Sequence, residues 1–235
     1  MFHVKICGIT SATDADLAAA AGADAIGLNF VPGSPRCLDA DRGRRVVAHL
    51  PEGVLVVGVF AGMEAARIRD LAGAVGLHAI QLHGHLFPTG DPRHDAAVDP
   101  PERAAALAGL RLIRAVRLET DGLAAARRWF AAARELGPAP EVALVDARPA
   151  AGAGAGRLGG TGAQVDWQAL AAAGPFEVPL VLAGGLDAGN VAEAIRRTGL
   201  RSVDVASGVE SAPGVKDATL VRAFVTAARA ALGLA

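Results

Sequence analysis

The chain has 235 residues, 52% of them apolar, a formal net charge of −1 and two cysteines, Cys7 and Cys37. That length suits one α/β barrel with a full core, and the near-neutral charge argues against a nucleic-acid surface or a polybasic membrane anchor. Two cysteines exclude a disulfide scaffold and fit a reducing compartment. The opening MFHVKICGIT lacks the apolar stretch of a signal peptide, and no apolar run approaches the roughly 18 residues that cross a bilayer, so a cytoplasmic location is expected.

In chain order, a strand over 3–7 is followed by a helix over 13–21, and a strand over 25–29 by a helix over 39–50. The pattern continues with 54–59 and 64–75, 79–83 and 102–108, then 110–116 and 121–136. It ends with 142–146 and 166–172, 180–183 and 188–198, and 202–205 and 217–231. Eight strand-then-helix units predict a parallel sheet closed into a single-domain (β/α)8 TIM barrel over 1–235. A doubly wound open sheet is the rival layout, but no GxGxxG turn opens the first helix. Two loops stand out: 86–101 is rich in Pro and Asp and reads as a tolerated insertion, and 148–156 is flexible by composition. Both follow strands, which places them at the C-terminal face of a barrel.

Helices cover the outside of such a barrel, so strand alternation sorts the side chains. Val4 and Ile6 should point outward, and His3, Lys5 and Cys7 inward, with Cys7 at the mouth. Leu144 and Asp146 should likewise face inward on strand six, and Gln81 and His83 should meet at the end of strand four. A thiol and a carboxyl on opposite sides of the mouth can serve as base and acid, the carboxyl holding a proton near neutral pH if partly buried. Taken singly, Cys7 reads as a small buried hydrophobe and Asp146 as a helix cap; their shared location favours chemistry. Gly-rich turns follow strand seven (Gly184-Gly185) and strand eight (Ser207-Gly208). Those are the two loops that bind phosphate in this architecture: glycines admit the oxygens to backbone N–H groups, and Ser207 adds a donor. Arg36, in the loop after strand two, can clamp a carboxylate with its planar fork. There is no HExxH, no CxxC and no carboxylate cluster of metal-ligand spacing, so no metal is expected.

Several segments, taken together, resemble one family. They are Lys5-Ile6-Cys7-Gly8-Ile9-Thr10, Gly22-Ala23-Asp24-Ala25, Gln81-Leu82-His83-Gly84, Gly159-Gly160-Thr161-Gly162 with Asp166-Trp167, and Asp204-Val205-Ala206-Ser207-Gly208-Val209-Glu210. In order, from Lys5 to Asp217, they are similar to the phosphoribosylanthranilate isomerases of tryptophan biosynthesis. The resemblance implies a (β/α)8 barrel without cofactor or metal. It implies an Amadori isomerisation of a small phosphorylated substrate, with no nucleic-acid or membrane partner. By that resemblance Cys7 is the base that takes the proton from ribose C2, and Asp146 is the acid that protonates the furanose ring oxygen. Arg36 engages the anthranilate moiety; Gly184, Gly185, Ser207 and Gly208 bind the phosphate; His83 and Asp204 lie near the substrate.

The chain departs from the family pattern in three places. Cys37 replaces an aromatic residue, which would alter the wall of the anthranilate pocket. Ala183 stands where Ser is common and would remove a polar contact near the phosphate, and the 148–156 loop is longer than usual. The histidine-pathway isomerase performs the same chemistry in this architecture, but it carries Asp at the end of strand one, where this chain has Cys7. A non-catalytic phosphometabolite-binding barrel would keep the Gly-rich turns and have no use for the Cys7 and Asp146 pair.

Overall fold

The computed structural model describes residues 2–88, 90, 95–147 and 164–234. The 148–156 loop and the Gly159-Gly160-Thr161-Gly162 segment lie outside the described residues. The strands are β1 (Val4–Cys7), β2 (Ala25–Asn29), β3 (Leu55–Phe60), β4 (Ala79–Leu82), β5 (Leu112–Arg117), β6 (Val142–Asp146), β7 (Leu180–Leu182) and β8 (Val203–Val205). They are parallel and closed, because β1 pairs with both β2 and β8. Each is followed by its helix: α1 (Ala12–Ala20), α2 (Ala40–Val47), α3 (Ala65–Val75), α4 (Pro101–Ala106), α5 (Ala124–Leu136), α6 (Trp167–Ala172), α7 (Val191–Thr198) and α8 (Ala218–Leu232). No described helix is long and apolar enough to cross a membrane.

Alternation divides the apolar residues into two layers. Val4, Ile6, Ile26, Leu28, Val145 and Leu182 face outward and pack with helix residues such as Ile68, Phe130, Ile195 and Phe224. Inside the barrel a smaller cluster of Phe2, Ala25, Val57, Ala79, Ala115 and Leu144 fills the lower half. The upper half is polar, and Lys5 is completely buried there. His3 precedes the first strand, at the bottom of the barrel, where Nδ1 contacts the Arg201 carbonyl at 2.9 Å; it does not join Lys5 and Cys7 as expected.

The observed element ends follow local chemistry. Ser11, Asp39, Asp166 and Asp217 each accept a backbone N–H at the start of a helix. Helix α7 begins at Val191 because Asp187 Oδ1 accepts from Gly189 and Asn190 N–H, turning the chain before the helix starts. Helix α5 begins at Ala124, after a tight turn in which Glu119 and Gly122 exchange backbone hydrogen bonds. A short hairpin, β9 (Glu210–Ala212) and β10 (Val215–Lys216), follows a 3-10 turn over Ser207–Val209; sequence periodicity did not show it.

The 86–101 loop is more than a tolerated insertion. Asp99, near its end, is fully buried and accepts from Gly62 N–H at 2.9 Å and Gly84 N–H at 2.8 Å. It thereby joins the loops after β3 and β4. Arg103 lies 3.1 Å from its carboxylate, and the buried Arg114 donates to the carbonyls of Leu82, Gly84 and His85 beneath the Trp129 ring. Burial pushes the Asp99 carboxyl above its usual range and draws the Arg114 guanidinium down to about 10, so desolvation outweighs attraction on both sides. The cluster's value is positional: it fixes the backbone directly after His83. Asp99→Ala leaves Arg114 and Arg103 without their shared carboxylate and two N–H groups unpaired, and we expect it to lower the unfolding free energy by about 3–5 kcal/mol in urea titrations.

Candidate active site

The C-terminal mouth of the barrel holds a cleft that is open to solvent. Cys7, Arg36, His83, Asp146, Gly184, Gly185, Asp204, Ser207 and Gly208, the residues singled out from sequence, all line it. A neighbouring cleft toward Phe87 and Arg117 shares His83 and Asp146, so these two side chains stand on the ridge between the openings.

Cys7 ends β1 opposite Gly27 of β2. A Cβ at Gly27 would lie 2.6 Å from Cys7 Sγ, so the missing side chain is the space the sulfur occupies. Burial pushes the Cys7 thiol above its ordinary value, and the nearby Lys5 ammonium only partly offsets this.

Asp146 ends β6 on the other side. Its Oδ2 lies 3.2 Å from His83 Nε2, and Oδ1 accepts from Ala147 N–H at 2.8 Å. Burial works to raise this carboxyl, but the His83 and Ala147 hydrogen bonds, with Arg117 nearby, hold it below its usual value. The expectation of a carboxyl protonated near neutral pH is therefore corrected: the environment favours the carboxylate. The resting pair is thiol at Cys7 and carboxylate at Asp146.

A buried chain of polar groups links the two sides. Lys5 Nζ donates to Asp204 Oδ1 at 2.8 Å and to Gln81 Oε1 at 3.0 Å, and Gln81 Nε2 lies 2.8 Å from His83 Nδ1. Burial works to lower the Lys5 ammonium, but Asp204 and Cys7 together overcome that desolvation and hold it above its ordinary pKa. Sequence alternation placed Lys5 and Gln81 inward but not as partners, and the family resemblance put Asp204 near the site without showing that its partner is Lys5.

Arg36 is not solvated. Its Nε and Nη2 donate to Glu210 Oε1 and Oε2 at 2.8 and 2.6 Å, a side-on fork across two loops. Glu210 also accepts from Lys216 Nζ at 2.8 Å, and Lys216 donates to the Ala206 carbonyl at 3.0 Å. Thr10 Oγ1 donates to the Gly214 carbonyl at 2.6 Å, so the β9–β10 hairpin ties together the loops after β1, β2 and β8. With its side-on edge taken, Arg36 keeps the Nη1/Nη2 edge for a ligand. The Glu210 anchor was missed because only its motif, not its partner, is visible in sequence. Cys37 is not part of the cleft lining, and its sulfur turns toward the Leu38 carbonyl. Ala183 packs inside the barrel and borders the cleft.

The glycine turns close the third side. Gly184 and Gly185 both have positive φ (79° and 64°), and Asn190 Nδ2 holds the Gly185 carbonyl at 2.8 Å. Ser207 and Gly208 open the 3-10 turn, whose first N–H groups have no partner within the turn.

Burial works to raise Glu210, but the hydrogen bonds from Arg36 and Lys216 hold it below its ordinary value. A carboxylate lowered in the fold stabilises above its unfolded pKa and loses that contribution as pH falls through the folded value. We therefore expect Glu210→Gln to cost about 1–3 kcal/mol at pH 7. The gap from wild type should close as denaturation is repeated below about pH 4.

A family model described as N-(5′-phosphoribosyl)anthranilate (PRA) isomerase matches residues 4–97 and 103–227. The N-(5′-phosphoribosyl)anthranilate isomerase of Myxococcus xanthus is 40% identical over 228 residues, covering 97% of this chain and 96% of that protein. A crystal structure of phosphoribosyl anthranilate isomerase in complex with reduced 1-(o-carboxyphenylamino)-1-deoxyribulose 5-phosphate aligns with a TM-score of 0.74 and 32% identity, covering 98% of this chain and all of that one. The Thermus thermophilus phosphoribosyl anthranilate isomerase aligns with a TM-score of 0.75 and 31% identity, over 97% of this chain and 98% of that one. The mouth geometry and these likenesses agree, and the chain belongs to the N-(5′-phosphoribosyl)anthranilate isomerase family.

Proposed function

We propose that Cys7 and Asp146 are the base and acid with which this chain converts N-(5′-phosphoribosyl)anthranilate into 1-(2-carboxyphenylamino)-1-deoxyribulose 5-phosphate. The observation that carries the assignment is their placement: a thiol and a carboxyl on different sides of one cleft, with two glycine turns on its rim. One barrel, comprising the whole chain, would bear the entire site.

The phosphate sits against the Gly184-Gly185 and Ser207-Gly208 turns, whose backbone N–H groups and Ser207 hydroxyl donate to its oxygens. The anthranilate carboxylate takes the Nη1/Nη2 edge of Arg36, held in place by Glu210. Asp146 gives a proton to the furanose oxygen, the C1–O bond breaks toward that oxygen, and the nitrogen lone pair forms the iminium. Cys7, as thiolate, takes the C2 proton, and the electron pair left at C2 forms the enolamine while neutralising the iminium. Gain of a proton at C1 and loss of one from the C2 hydroxyl then give the ketone, so atoms and electrons balance without a redox partner. A cytoplasmic location suits this chemistry, because Cys7 must stay a free thiol to act.

The resting proton arrangement has a kinetic consequence. The working form, thiolate with protonated carboxyl, is the minor tautomer of a pair that shares one proton. Its fraction is constant between the lowered pKa of Asp146 and the raised pKa of Cys7. We therefore expect neither Cys7 nor Asp146 to put a limb in kcat/KM between about pH 5 and about pH 8; a limb in that window that persists in His83→Asn and lies away from the substrate phosphate's own ionisation would contradict the pairing.

With freshly generated phosphoribosylanthranilate, the wild-type chain should turn over. Asp146→Asn and Cys7→Ser should each lower kcat by about 10²–10⁴-fold with much smaller effects on KM. A loss confined to KM would make the residue a binding group. No turnover by the folded wild type would overturn the assignment.

A further inference from the structure

We propose that Gln81, oriented by Lys5, is a positioning residue that fixes the tautomer of His83, so that the ring presents Nε2–H to Asp146. The inference rests on the reading of Asp146 as the acid. Its first step is the amide orientation. Lys5 Nζ carries only donors, so the Gln81 atom 3.0 Å away must be the carbonyl oxygen. The Gln81 NH2 therefore points the other way, at His83 Nδ1, 2.8 Å distant. A donor facing Nδ1 requires a lone pair there. The proton of the neutral ring then sits on Nε2, 3.2 Å from Asp146 Oδ2.

The buried ammonium thus sets the direction of every bond in the row from Lys5 through Gln81 and His83 to Asp146. Asp204 secures the ammonium, receiving a second Lys5 hydrogen bond at 2.8 Å. Gln81 itself is buried, so no solvent competes for its amide. Its task is to give Asp146 one neutral donor rather than a full cation, which would hold the carboxylate too firmly to pick up the proton it must deliver.

The test is ¹⁵N–¹H spectroscopy of the imidazoles, with the His83 signals assigned by their absence in His83→Asn, combined with steady-state kinetics. In the wild type the neutral ring should carry its proton on Nε2. In Gln81→Glu the ring lies between two carboxylates and should be protonated on both nitrogens at pH 7, with kcat down about tenfold and KM changed less than about threefold. Gln81→Leu removes the amide without adding charge; it should give a mixture of tautomers and a smaller loss of kcat.

A wild-type ring protonated on Nδ1 overturns the proposal, and that measurement needs no variant to fold. A Gln81→Glu protein with wild-type imidazole signals overturns it too, whatever its activity, as does unchanged kcat. Should Asp146→Asn retain turnover, the acid assignment fails, while the imidazole spectrum still decides the tautomer on its own.

Discussion

The upper half of the barrel is organised by one buried cation. Removing an ammonium from water costs several kcal/mol, and Lys5 is fully buried, so its presence demands compensating partners. Asp204 and Gln81 meet that demand, and each sits where alternation on its own strand points a side chain inward. The apolar layer below ends where this polar layer begins, and the cleft opens directly above. Lys5 thus connects strands β1, β4 and β8 and also acts electrostatically on Cys7, drawing down a thiol that burial raises.

Two further ionic clusters hold the rim. Glu210 anchors Arg36 and Lys216 on one side of the mouth, and Asp99 gathers Gly62, Gly84 and Arg103 on the other. Both join loops that would otherwise move independently, and both do so with buried charge rather than apolar contact. Burial is unfavourable for the isolated ions, yet a charge network permits only a few geometries, which suits the proposed acid and base, since they must face one small molecule from different sides. Between the clusters, the glycine turns bring backbone to the rim without side chains, which leaves room for the proposed phosphate.

The barrel and the inward-facing positions at its mouth were legible in the sequence because both follow from short-range rules. Eight alternating strand and helix patterns predict closure, and period-two alternation placed Cys7, Gln81, His83 and Asp146 at the mouth. Long-range pairing was not legible. Arg36 and Glu210 are 174 positions apart, and Lys5 and Asp204 are 199 apart, so no local pattern links them. Protonation was misread for the same reason: half-burial alone suggested a protonated Asp146, but the partners that lower it are His83 and a backbone N–H brought in by folding. The β9–β10 hairpin escaped notice because strands of three and two residues carry too little periodicity to detect. Asp99 was hidden in a loop whose Pro- and Asp-rich composition resembles any exposed turn.

The most direct test is a crystal structure of this chain with the reduced product analogue 1-(o-carboxyphenylamino)-1-deoxyribulose 5-phosphate bound. The account predicts the phosphate against the N–H groups of Gly185 and Ser207, Cys7 Sγ facing ribose C2, and the Asp146 carboxyl within hydrogen-bond reach of the C4 oxygen, with the aryl carboxylate on the free edge of Arg36. A phosphate seated elsewhere, or a ribose whose C2 faces away from Cys7, would contradict it.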